Sequence, residues 1–221
     1  VFSKLWDTQP CDMLTSFDGM SWQPQPEITN KGFSSKIKKW LHIDQAYTKP
    51  GFKCYQGQVI LYDVDPGDAT LNVLEKSHKF HNEVGKHFNK LARNDYYQLK
   101  QSEIDYYKEK GCQEHKVLAK AGSLILWDSR TVHEGTVPIK GRPNPKNRCS
   151  MYVCMMPRSQ ISAKDLEKKK MAFENQRTTS HWANRCILFG KNPQTYGKPL
   201  PNIDILDKPV LTDLGKRLAG F

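Results

Sequence analysis

Two apolar, β-branched runs on either side of one acidic turn limit this chain to a small set of folds. "QGQVILYDV" (56–64) reads as a strong strand, and "ATLNVLEKS" (69–77) reads as the next one. Between them Asp65, Pro66, Gly67 and Asp68 supply the turn chemistry that reverses a chain. Further strands are predicted at "HKVLAKAG" (115–122), "SLILWDS" (123–129) and "RCSMYVCMM" (148–156), the last closed by Pro157. Short strands at this density must bury their faces against another sheet, which favours a β-sandwich or barrel.

Helices are expected mostly outside the strands. Residues 78–111 carry charges and aromatics at helical spacing, with Gly111 as the stop. "SAKDLEKKKMAFENQR" (162–177) starts with Ser162 at the N-cap and Asp165 three residues on, close to a capping box. The tail "LTDLGKRLAGF" predicts a short final helix, and residues 1–35 an irregular lead-in or short edge strands. The fold class expected is mainly β with helical cover (α+β). No repeat, low-complexity block or linker divides the 221 residues, so a single domain over 1–221 is expected, with 157–221 as a helical extension.

Apolar content is 38%, but aromatics make up 10% and include five Trp, which argues for a packed core rather than disorder. Six scattered cysteines without a C-x-x-C pair read as reduced, mostly buried thiols and argue against a thiolate zinc site. No run approaches the roughly 18 apolar residues of a membrane span, and no signal peptide is visible. The expectation is an intracellular, cytoplasmic protein. A net charge of +11 favours anionic company, whether a carboxylate or phosphate substrate, an acidic protein or nucleic acid. Many soluble proteins are simply basic, and the charge is too diffuse to select a partner or an oligomeric state.

Chemistry enters at "WLHIDQ" (40–45). On a strand, residues i and i+2 point the same way. His42 and Asp44 then share one face while Leu41 and Ile43 anchor the other. Such a pair serves as a hydrogen-bonded core couple, an acid/base couple, or two ligands of a metal. A second histidine fits at His133 in "GSLILWDSRTVHEGT", at the exit of a buried strand. Two histidines and one carboxylate form the facial triad that holds a non-haem Fe(II) and leaves positions open. An oxygenase that consumes 2-oxoglutarate also needs a cation for the far carboxylate, and the planar fork of arginine suits it. Arg148 heads the strand after His133 and shares a face with Ser150, Tyr152 and Cys154; Arg142 competes from the turn-rich "KGRPNPKN".

The residues in this order resemble the phytanoyl-CoA dioxygenase family over roughly 40–156. "WLHIDQAY" is similar to its H-x-D-Q opening, and "GQVILYDVDPGDATLNVLEKSHKFH" to a following hairpin that ends in Ser77, His78 and Lys79. "AGSLILWDSRTVHEG" resembles the strand with the distal histidine, and "NRCSMYVCMM" the strand headed by arginine. The chain departs from the family at Ala69, at Glu75 and Lys76, at Gly135, and in a longer interval from His133 to Arg148. The resemblance implies a double-stranded β-helix of the jelly-roll, cupin-like kind. It also implies Fe(II) as metal and 2-oxoglutarate as co-substrate, with hydroxylation of a substrate and release of succinate and CO2. Carried over, His42, Asp44 and His133 are the iron ligands, Arg148 the carboxylate clamp, and Gln58 a contact to the co-substrate.

Two other readings stand beside this one. The same chemistry on nucleic acid or protein would use the positive charge, and a cupin-like module without turnover would only hold an anionic ligand. His78, His81 and His87 read as structural or surface residues, and Lys168, Lys169 and Lys170 as a solvated helix face. Cys149 and Cys154 read as core thiols, while Trp40, Tyr47 and Trp127 are candidates to line the site.

Overall fold

Strands form where the apolar runs predict them, but over shorter spans. The computed structural model describes residues 1–30, 32–33, 39–190 and 207–221. These fall into two compact units, Met20–Met151, and Val1–Gly19 with Tyr152–Phe221. Parts of the predicted lead-in (31, 34 and 35) and of the predicted extension (191–206) lie outside the described residues.

In Val1–Gly19 with Tyr152–Phe221, the elements are α1 (Phe2–Leu5), β1 (Met13–Thr15), β11 (Met155–Pro157), α5 (Ala163–Glu174) and α6 (Asp213–Ala219). β1 pairs antiparallel with β11, Met13 opposite Pro157. The predicted strand 148–156 is broken at Cys154, so its last residues belong to β11 rather than to the strand that Arg148 heads. Ser162 caps α5 as its sequence predicts, its Oγ accepting the Asp165 amide at 3.1 Å. Thr212 caps α6 in the same way, and Gly220 closes it at φ +113°.

The Met20–Met151 unit holds β2 (Met20–Gln23), α2 (Pro26–Thr29), β3 (His42–Ile43), β4 (Tyr55–Ile60), β5 (Leu71–Leu74) and α3 (Ser77–His87). After these come β6 (Tyr97–Gln98), α4 (Gln101–Glu109), β7 (Glu114–Lys116), β8 (Leu124–Asp128), β9 (His133–Gly135) and the start of β10 (Arg148–Val153). One sheet has the order β2-β10-β4-β8 and the other β6-β3-β9-β5-β7. Every pairing with a resolved register is antiparallel. The chain alternates sheets at nearly every step: β2, β4, β8 and β10 lie in the first, β3, β5, β7 and β9 in the second. This is the double-stranded β-helix, or jelly roll, that closes two sheets around one interior.

The predicted hairpin of 56–77 is corrected by that order. β4 and β5 lie in different sheets, and the acidic turn carries the chain across the interior instead of back along its own partner. Gly67 sits at φ +92° in this turn, and a Cβ there would stand 3.0 Å from the Arg142 Cβ. Arg142 pins the same corner with Nη1 2.8 Å from Asp68 and Nε and Nη2 each 3.1 Å from Glu27. The strand expected at 69–77 also ends early, because Ser77 begins α3 and its buried Oγ accepts the Val132 amide.

The outer face of the second sheet is the main core. Leu41, Ile43, Leu74, Val84, Ile104 and Tyr107 pack together beneath α3 and α4. Both residues that flank His42 are fully buried there, Leu41 at 1% exposure and Ile43 at 0%. Burying two aliphatic side chains of this kind stabilises the unit by roughly 1.5–3 kcal/mol each, which fixes the parity of β3. His42 must then face the interior.

Candidate metal centre

β3 and β9 are neighbours, and the register places His42 directly opposite His133. Directly opposed residues in an antiparallel pair point to the same face. The two rings meet with centroids 4.3 Å apart. Asp44, two residues beyond His42, turns its carboxylate to the same place. Its Oδ2 is 3.8 Å from His42 Nε2 and 3.4 Å from His133 Nε2. Among the described residues, these three form a group whose ligand atoms all lie within 4.8 Å of one another. His133 is the first residue of β9 rather than a loop residue at a strand exit.

Both imidazoles have their tautomer set by the backbone. His42 Nδ1 lies 3.1 Å from the Trp40 carbonyl and His133 Nδ1 2.9 Å from the Thr131 carbonyl. A carbonyl only accepts, so Nδ1 carries a proton, and in the neutral ring the lone pair is the one on Nε2, toward Asp44. Hydrogen bonding of the remote nitrogen is also how metal-binding imidazoles are oriented. Both rings are buried, and the Asp44 side chain, at 19% exposure, is the most accessible of the three.

Neighbouring side chains hold this arrangement in place. Gln56, on β4, donates from Nε2 to Asp44 Oδ2 at 2.9 Å. Trp40 stacks on His42 at 4.5 Å, its indole Nε1 donates to the Gly135 carbonyl, and its amide donates to Glu134. Glu134 in turn accepts from Asn72 Nδ2 at 3.0 Å, which ties β3, β9 and β5 together behind the histidines. Trp127 lies 5.3 Å from the His133 ring and Tyr96 5.1 Å from the His42 ring. Gln45 locks the loop after Asp44: its Nε2 donates to the carbonyls of Lys49 and Gly51, and its Oε1 accepts from Ser129.

The sheet opposite presents polar groups to the same interior. Gln56, Gln58 and Ile60 alternate along β4 and are all buried. The Leu61 amide donates to the Cys149 carbonyl, a register that puts Arg148 and Ser150 on their side. Gln58 Nε2 and Ser150 Oγ are buried with no hydrogen-bond partner among the described residues. Arg148 is 8% exposed, and among the described residues its side chain makes one hydrogen-bond approach, from Nη1 to Ser21 Oγ at 3.4 Å. Arg142 differs: two carboxylates and the Lys146 carbonyl take up its guanidinium.

The remaining sequence candidates divide. Trp40 and Trp127 do line the centre, but Tyr47 does not. It packs in the outer core, stacks on His81 and shares a hydroxyl contact with Tyr107, and burial pushes both phenols well above their usual range. His81 is fully buried with Nε2 2.9 Å from the Gln45 carbonyl, a structural role as its sequence suggests. Lys169 is the correction to the solvated lysine face, since it is 2% exposed. Gln56, Tyr96 and Glu134 were missed. Gln56 shares a strand face with Gln58, but nothing in the sequence marks it as the partner of Asp44.

No model of a known protein family matches the sequence. The chain is 29% identical over 196 residues to Ava biosynthesis cluster protein O of Aspergillus versicolor, a match that takes in 85% of this chain. It spans 60% of that relative's length. Among solved structures, EctD from S. alaskensis in its apo form superimposes with a TM-score of 0.43 at 15% identity, over 66% of this chain and 48% of that one. EctD with 2-oxoglutarate and 5-hydroxyectoine gives 0.41 at 15%, over 64% and 46%. The non-haem α-ketoglutarate-dependent carbocyclase SnoK from nogalamycin biosynthesis gives 0.34 at 14%, over 66% and 47%. Among the described residues, no helix is long and apolar enough to cross a membrane.

Proposed function

We propose that this chain is an Fe(II)- and 2-oxoglutarate-dependent oxygenase, related to the phytanoyl-CoA dioxygenases, that hydroxylates a small molecule made in a biosynthetic pathway. The observation that carries the reading is the cross-strand pair of histidines, each with Nδ1 tied to a backbone carbonyl, converging with Asp44. Two neutral imidazole nitrogens and one carboxylate fit a first-row divalent ion and leave open the positions that a bidentate co-substrate and O2 require. When bound, Fe(II) and 2-oxoglutarate with O2 supply a two-electron oxidation of substrate, with succinate and CO2 released.

The chain's own residues supply the rest. His42, Asp44 and His133 hold the ion, and Gln56 fixes the Asp44 carboxylate. Arg148 receives the far carboxylate of 2-oxoglutarate, because it is a buried cation with no carboxylate partner among the described residues, whereas Arg142 is already saturated. The partnerless donors of Gln58 and Ser150 lie on the same face and complete an anion site. Trp40 and Tyr96 shield His42 from water. The biosynthetic setting rests on the cluster protein that the chain resembles at 29% identity.

Anaerobic addition of Fe(II) and 2-oxoglutarate is expected to produce a visible charge-transfer band, and O2 to convert 2-oxoglutarate to succinate. Asp44→Ala abolishes both, and Arg148→Met raises the 2-oxoglutarate concentration needed by about 10- to 100-fold. Binding of 2-oxoglutarate that is indifferent to metal and to Asp44→Ala would instead identify a ligand-holding module without turnover.

A further inference from the structure

Two buried polar atoms beside the centre are not used by the metal or by the anion site. Gln56 and Trp127 are directly opposed across the β4–β8 pair, so their side chains share the interior face. Gln56 is 5% exposed and spends Nε2 on Asp44, an assignment fixed by chemistry because only the amide nitrogen donates to a carboxylate. Its Oε1 is left buried with no donor among the described residues. Trp127 Nε1 is likewise buried with no acceptor, although the indole ring lies against His133. An acceptor and a donor therefore sit side by side, one on the residue that touches Asp44 and one on the residue that touches His133. They do not satisfy each other. A buried polar group without a partner is costly, and two of them next to a reaction centre point to a ligand that supplies both partners.

We propose that Gln56 Oε1 and Trp127 Nε1 form the recognition site for the prime substrate, and that they select a neutral group that donates and accepts together: a hydroxyl or a carboxamide close to the carbon that is oxidised. The proposal rests on the oxygenase reading above. A carboxylate on that part of the substrate is disfavoured, because it could accept from Trp127 Nε1 but offers no donor to Gln56 Oε1 and sets a second negative charge beside Asp44. An ammonium would leave the Trp127 N–H facing another donor. Specificity of this kind is strong, since an analogue that lacks one half of the pair leaves a protein group buried and unpaired.

The test uses the full chain with Fe(II) and 2-oxoglutarate under anaerobic conditions and three shape-matched probes followed by ligand-observed NMR titration. Cyclohexanecarboxamide can donate and accept, cyclohexyl methyl ketone can only accept, and isopropylcyclohexane does neither. The expected ranking is carboxamide over ketone by about tenfold, with the hydrocarbon weakest. Trp127→Phe keeps an aromatic ring beside His133 and removes the N–H, and is expected to weaken the carboxamide about tenfold and compress the ranking. The wild-type ranking stands as a test even where the variant fails to fold. A visible Fe(II)–2-oxoglutarate band with equal binding of carboxamide and ketone overturns the recognition proposal and leaves the oxygenase reading in place. Absence of the band removes the oxygenase reading and this proposal with it.

Discussion

His42 and His133 owe their usefulness to the carbonyls behind them, since each Nδ1 bond leaves the opposite nitrogen aimed inward. Gln56 does the corresponding work for Asp44. Its replacement by leucine is expected to weaken Co(II) binding by about 10- to 100-fold, read from the visible ligand-field spectrum, with little loss of secondary structure. The side-by-side placement of His42 and Asp44 was legible in the sequence, because strand parity puts i and i+2 together and the apolar Leu41 and Ile43 decide which parity faces in. Gln56 was not, because an uncharged glutamine on a strand looks the same whether it faces solvent, core or carboxylate. A second residue-scale prediction concerns Asp128. Burial raises its pKa, but hydrogen bonds from the Arg130 side chain and amide outweigh this and hold it below the ordinary value. A carboxylate with a depressed folded pKa contributes stability above its unfolded pKa, and that contribution is lost as pH falls through the folded value. Arg130→Met should therefore move the acid unfolding midpoint, followed by circular dichroism, to higher pH.

Elements were legible in kind and less so in partnership. Turn chemistry at Asp65–Asp68 tells that the chain reverses, but not whether it returns along its own strand or crosses to another sheet. That choice belongs to the Arg142 cluster, whose partners Glu27 and Asp68 are far apart in sequence. The α5 cap, by contrast, is purely local, and Ser162 could be read directly. Ser162→Ala is expected to cost about 1 kcal/mol, seen as a lower midpoint in urea at unchanged slope. The same helix holds a residue that local pattern misreads. Lys169 looks like one of a solvated triplet, yet its amine is buried, bonded to the Thr15 carbonyl and 3.9 Å from the Phe17 ring centroid. Burial pushes its pKa down to about 8. The unfolded chain binds that proton more tightly, so stability should rise as pH climbs from about 8 toward the ordinary lysine value of about 10.4. Lys169→Met should flatten that rise in a series of thermal melts, whereas the same change at exposed Lys168 should leave it intact.

At the scale of the whole molecule, the positive charge is spread over both units, while His42, Asp44 and His133 all lie in Met20–Met151. Within that unit the jelly-roll order brings together strands that are distant in sequence, and β3 beside β9 is the pairing on which the centre depends. Leu41 and Ile43 fasten β3 from outside, but inside it is only two residues long, with a polar, partly hydrated carboxylate at its end. An ion bound by His42, Asp44 and His133 would add a cross-link there that the unfolded chain cannot reproduce. Stabilisation by a ligand specific to the folded state grows as RT ln(1 + [L]/Kd), about 2.7 kcal/mol at a hundredfold excess over Kd. For a chain of this length that corresponds to roughly 5–10 °C in Tm. Mn(II), which binds such sites without turning over under anaerobic conditions, is therefore expected to raise the melting temperature by this amount in the wild-type chain. Asp44→Ala should abolish the increase, because two facing imidazoles alone leave the ion's charge uncompensated. An equal increase in the variant would mean that the ion stabilises the protein from elsewhere, and that the pairing of β3 with β9 is held by its apolar face alone.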